Sequence, residues 1–137
     1  MKWINNNYYI TDSQENIDID FIITSLHKTY WANERPKELI IKSIENSILL
    51  SLFEDNIQIG FARIVGDGAT FAWLCDVFVS ENYRGKCLGK FLMKCAMEHP
   101  STNVRTNLLG TKDAHGLYEK YGFTKNETMI KRNEYTV

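Results

Sequence analysis

The residues with the clearest chemical purpose are Arg84-Gly85-Lys86-Cys87-Leu88-Gly89-Lys90. Three cations and two glycines stand there between an apolar run ending at Val79 and a helical pattern starting near Leu88. A helix start carries unpaired N–H groups and the positive end of the backbone dipole, and glycine lets a ligand come close to the chain. Such a stretch is suited to hold phosphate. It is not a P-loop: Gly85 and Gly89 have three residues between them, and Lys90 is followed by Phe91, which offers magnesium no hydroxyl. The dinucleotide pattern G-x-G-x-x-G is absent as well. A second chemical feature is Asp76, a carboxylate inside the otherwise apolar run 70–79. Such a group is either paired, here with Arg63 on the preceding strand, or has its pKa raised by desolvation until it suits proton acceptance near neutral pH.

The elements that must position these residues follow from periodicity. Residues 70–79 are β-branched and aromatic, which predicts a central strand buried on both faces. Ser80, Glu81 and Asn82 form a turn, and Leu88, Leu92, Cys95, Ala96 and His99 then fall on one helical face that stops at Pro100. Residues 104–109 make another strand, and strand, helix, strand in sequence implies a parallel crossover. Upstream, residues 49–54, the Asp55-Asn56 turn, residues 57–65 and the Asp67-Gly68 turn predict an antiparallel meander. Residues 8–11 open the chain as a short strand. Asp18 caps a helix bearing Ile19, Ile22, Ile23, Leu26 and Tyr30, and Pro36 starts a second with Ile40, Ile41, Ile44 and Ile48 as its stripe. Thr111 caps a last helix carrying Ala114, Leu117, Tyr118 and Tyr121, which Gly122 ends. Phe123 and the stretch through Met129 to Arg132 are expected to supply one or two closing strands.

Composition limits the class. A chain of 137 residues with 44% hydrophobic and 24% charged residues is a single globular domain, 1–137. The formal net charge of -1 gives no general surface for nucleic acid or anionic membrane, and positive charge is local to residues 84–90. No apolar run reaches transmembrane length and no signal-peptide core precedes residue 8, so the expected compartment is cytoplasmic. Cys75, Cys87 and Cys95 are odd in number with no C-x-x-C pair, and His27, His99 and His115 lack metal-ligand spacing. Neither a disulfide framework nor a metal is expected. Cys87, at a helix start among cations, is expected to be the fastest thiol toward alkylating agents.

The loop resembles the acyl-CoA pyrophosphate loop of the GNAT family of N-acetyltransferases, [RQ]-x-x-G-x-[GA], with Cys87 standing where the family has its first motif glycine. A second segment, Ala114-His115-Gly116-Leu117-Tyr118-Glu119-Lys120-Tyr121-Gly122-Phe123, is similar to that family's A-x-x-L-Y-x-x-x-G-F at every named position. The resemblance implies an α+β, acyl-CoA N-acyltransferase fold: a mixed, mostly antiparallel central sheet with one splayed parallel pair and helices on both faces. It implies acetyl-CoA as acyl donor, no metal, and a cofactor site at Val77, Phe78, Val79, Arg84, Gly85, Lys86, Cys87, Leu88, Gly89 and Lys90. A strand N–H, that of Val79, would donate to the thioester oxygen. Tyr118 stands as general acid or as an aromatic packing residue with its hydroxyl on a backbone carbonyl. Asp76 stands as base, as water-holder or as the ion-pair partner of Arg63. Tyr30, Trp31 and Arg35 stand as the acceptor wall, where an arginine suits a carboxylate or phosphate, or as residues closing the core. The implied reaction is direct attack of a primary amine on acetyl-CoA in a ternary complex. The implied partner is a small-molecule amine, with no nucleic acid and no membrane, and the protein a monomer or homodimer. The alternatives are a noncatalytic acyl-CoA-binding sensor and a protein N-acetyltransferase on the same fold.

Overall fold

Short apolar segments joined by tight turns build one six-stranded sheet in the computed structural model, which describes residues 1–136. The strands β1 (Lys2–Asn5), β2 (Tyr8–Thr11), β3 (Ile48–Glu54), β4 (Ile57–Gly66), β5 (Phe71–Val79) and β6 (Thr106–Leu109) lie in chain order across it. Every neighbouring pair is antiparallel except β5 and β6, which are parallel. The helices are α1 (Ile19–Leu26), α2 (Lys37–Glu45), α3 (Leu88–Glu98) and α4 (His115–Glu119).

Turn chemistry sets the meander. The β4–β5 turn is held by Asp67, whose carboxylate accepts the Ala69, Thr70 and Phe71 amides and the Thr70 hydroxyl. Gly68 supplies the left-handed residue, φ 73°. The Thr70 hydroxyl and amide, followed by the other two amides, hold the Asp67 carboxyl well below the usual range.

Strand alternation divides the core in two. On β3, Leu49 packs with Ile22, Leu26, Ile40 and Ile44 of α1 and α2, while Leu50 and Leu52 pack with Leu92, Cys95 and Ala96 of α3 on the opposite face. Helices therefore cover both faces, as expected. Asp18 caps α1 by accepting the Phe21 amide at 3.0 Å, and α3 ends just before His99 and Pro100.

The structure departs from the sequence reading in several places. β1 is an extra edge strand, made possible by Asn6 in the left-handed region at φ 56°. Pro36 lies one residue before α2, Ile48 opens β3 and is no part of the α2 stripe, and Tyr30 falls beyond the end of α1. The closing strands are absent: residues 123–136 pair with no strand among the described residues. Met129 and Ile130, 97% and 61% exposed, are adjacent, so a strand would send them to opposite faces, and their neighbours are polar or charged.

Candidate active site

A bulge in β5 opens the site. Ala72 and Leu74 belong to the α3 core, yet so do Val77 and Val79, while Phe78 packs on the α1–α2 side. The change of parity requires one inserted residue. The β4–β5 register shifts between Phe61 and Arg63, leaving Asp76 and Val77 opposite Ala62. Asp76 adopts φ 46°, a left-handed conformation that aspartate tolerates better than most side chains.

Beyond the bulge β5 loses its parallel partner. β6 stops at Leu109, opposite Leu74, so the pair is splayed from Cys75 onward. The Ser80 amide donates to the Ile59 carbonyl at 2.8 Å, which makes Gly60 and Val79 a non-hydrogen-bonded pair. The amide and carbonyl of Val79 therefore point away from β4, and by alternation so do those of Val77. The Val79 carbonyl accepts from Arg84 Nε at 3.1 Å, and its N–H has no acceptor among the described residues. An extended amide ligand would satisfy these groups.

The anion-binding loop lies at the end of this gap. A cavity of about 270 Å³ is bounded by Val79, Tyr83, every loop residue except Lys86, and Leu117 of α4. Cys87 provides no side-chain cap to α3, so the Leu88, Gly89 and Lys90 amides have no protein acceptor among the described residues. A Cβ at Gly85 or Gly89 would meet no protein atom within 4 Å, and that space is open to a ligand. Lys86 lies over the Tyr83 ring at 5.3 Å, whereas Arg84 folds back over Phe78 at 5.6 Å. Cys87 itself sits at φ 61°, so its position favours glycine for a backbone reason. These features fit a pantetheine arm followed by a pyrophosphate.

Asp76 is the hub of a cluster spanning three chain segments. Its Oδ1 accepts from Trp31 Nε1 at 2.9 Å, and its Oδ2 accepts from Arg35 Nη1 and Arg63 Nε, each at 2.8 Å. Burial pushes the carboxyl up, but the two guanidiniums outweigh it and leave its pKa below the ordinary value. Of the two alternatives for Asp76, the pairing with Arg63 is the one that forms; Arg35 joins it, both oxygens are taken, and the carboxyl is not raised. Trp31 and Arg35 are brought to the β5 bulge by this pairing, and Tyr30, 57% exposed, stands edge-on to Trp31.

Tyr118, on α4, packs against the α3-side core with Val77 and Val79. Its hydroxyl makes no hydrogen bond among the described residues, so the backbone-carbonyl partner of a purely packing tyrosine is missing there. Burial, then Tyr30 and Asp113, push its pKa up and keep it protonated. Leu117 and Tyr83 were not expected at the loop. Leu117 carried a signal, its place in the A-x-x-L-Y segment. Among the described residues no group of three or more His, Cys, Asp or Glu is placed to hold a metal, and no helix is long and apolar enough to cross a membrane.

Comparison with known proteins identifies the fold and the family. The model of the acetyltransferase (GNAT) domain matches residues 45–125. A structure from Xanthomonas campestris pv. campestris, described as an acetyltransferase belonging to the GNAT family, is 37% identical, covers 93% of each chain and has a TM-score of 0.87. A protein of Gibberella zeae named as an acetyltransferase is 22% identical over 87% of this chain and 80% of its own. An uncharacterised N-acetyltransferase of Porphyra purpurea is 28% identical over 74% of this chain, which spans 62% of it. The fold and site define an acyltransferase class, and the chain belongs to the GNAT acetyltransferase family.

Proposed function

We propose that the chain transfers the acetyl group of acetyl-CoA to a primary amine by direct attack in a ternary complex. The observation that carries this reading is the open Val79 N–H at the head of a gap that leads to the unpaired amides of α3. When bound, acetyl-CoA supplies an activated acyl thioester. Val77 and Val79 offer main-chain groups to its amide arm, and the loop from Arg84 to Lys90 offers amides and cations to its phosphates. The Val79 N–H would donate to a thioester carbonyl oxygen held in the gap, and one such donor to developing charge contributes about 2.7 to 4 kcal/mol in other acyl-transfer sites. As the N–C bond forms and the C–S bond breaks, Tyr118 Oη would give its proton to the leaving sulfur and regain one from the acetylated nitrogen through solvent, so that the amine proton ends on the CoA thiol. Asp76 acts as a positioning residue: it ties Trp31 and Arg35 to the bulge that aims β5. Release of CoA thiol from acetyl-CoA on addition of an amine, above the rate without amine, is the expected result. No release with any primary amine, despite acetyl-CoA binding, would favour the sensor reading.

A further inference from the structure

We infer that the acceptor amine carries an anionic group, a carboxylate or phosphate, received by Arg35 beside the β5 bulge; this rests on the acetyl-transfer reading above. The Asp76 side chain, 3% exposed, faces two guanidiniums that are themselves only 17% and 14% exposed. The cluster holds two positive charges against one negative, and no other acidic side chain forms an ion pair with either arginine among the described residues. A largely buried surplus charge is unfavourable until an anion joins it.

The two arginines differ in what they have left to give. Arg63 donates from Nε to Asp76 and from Nη1 to Ser47 Oγ at 3.0 Å, which leaves only its Nη2 without a protein acceptor among the described residues. Arg35 gives Asp76 one bond from Nη1, and the Tyr135 hydroxyl lies against the rest of its planar fork, the edge that matches carboxylate or phosphate and that an arriving anion would take over. Aromatic and basic side chains adjoin Arg35. Trp31 flanks it through Asp76, Tyr30 meets Trp31 edge-on with ring centroids 5.1 Å apart, and Lys112 Nζ lies 5.4 Å from the Tyr30 ring. Asp113 lies near Tyr118 and forms no ion pair with Arg35 or Arg63 among the described residues.

The test is calorimetric titration of the full chain, alone and with CoA, using propylamine, β-alanine, phosphoethanolamine and inorganic phosphate. The two anionic amines are expected to bind at least tenfold more tightly than propylamine, and phosphoethanolamine more tightly than phosphate. In Arg35→Met that ratio should fall toward one, with Arg35→Lys intermediate. Removing Arg35 leaves Asp76 paired one-to-one with Arg63, so thermal unfolding should report a folded chain that acetyl-CoA still stabilises. Equal affinities for neutral and anionic amines, absence of binding by all of them, or a ratio unchanged in Arg35→Met would overturn the inference. Phosphate binding as tightly as phosphoethanolamine would also overturn it, by marking a free-anion site. Failure of acetyl-CoA to stabilise the native chain would refute the acetyl-transfer reading instead, because the titration of the chain alone does not depend on it.

Discussion

Replacing Cys87 with glycine should stabilise the protein, contrary to the usual effect of adding glycine next to a helix. Cys87 has φ 61° and ψ 21°. An L-residue in that region is disfavoured by about 1–2 kcal/mol, and glycine escapes the penalty. Against this, glycine loses roughly 0.5–1 kcal/mol more conformational entropy on folding. The side chain is exposed and caps nothing, so no packing or hydrogen bond is lost. The midpoints of the two ranges differ by about 0.75 kcal/mol in favour of glycine, or roughly 2–3 °C in melting temperature for a domain of this size. Scanning calorimetry on Cys87→Gly and Cys87→Ala decides it, because alanine keeps the strained backbone and removes only the thiol. Alanine should leave the transition within about 1 °C of the parent. Equal midpoints for the two variants, or a lower one for glycine, would refute the strain argument.

Alkylation in the folded state should label Cys87 first, since Cys75 is half-buried and burial pushes the Cys95 thiol up to about 12. Mass spectrometry against time gives the order, and acetyl-CoA should slow the first step. Asp76→Asn keeps an acceptor for Trp31 but leaves two guanidiniums facing each other, and should lower stability by about 3 kcal/mol in denaturant titrations at neutral pH. Because the folded pKa of Asp76 lies below its ordinary value of 3.8, its contribution is complete above that pH and is lost as pH falls further toward the folded pKa. The acid limb of the stability curve should therefore be shallower in the variant. Tyr118→Phe should lower turnover by about a hundredfold while the stabilisation by acetyl-CoA remains. Retained turnover would return Tyr118 to a packing role.

The parts of the fold legible in the sequence were those with local signals. The β5 strand, its polar turn, the glycine-spaced loop and the α3 stripe lie within 30 residues, and each has its own periodicity or turn chemistry. The parallel pairing of β6 followed from chain order alone. What escaped depended on distant contacts or on a count of one. Arg35 and Asp76 are 41 residues apart, so their pairing, and with it the lowered pKa, had no local sign. The bulge inserts a single residue that a continuous apolar run conceals, because both faces of β5 are partly buried and alternation carries little information there. The end of the chain shows the converse. Met129 and Ile130 read as a strand by composition, yet their exposure shows that β propensity without a face to bury does not hold a strand.

Thermal unfolding with and without acetyl-CoA tests the central claim, that the β5 gap and the α3 amides form a cofactor site. At a hundred times its dissociation constant a ligand stabilises the native state by about 2.7 kcal/mol. For this chain that is a rise of roughly 8 °C in melting temperature. A rise of that size, absent with free pantetheine at the same concentration, would support both halves of the site. An unchanged midpoint at millimolar acetyl-CoA would contradict it.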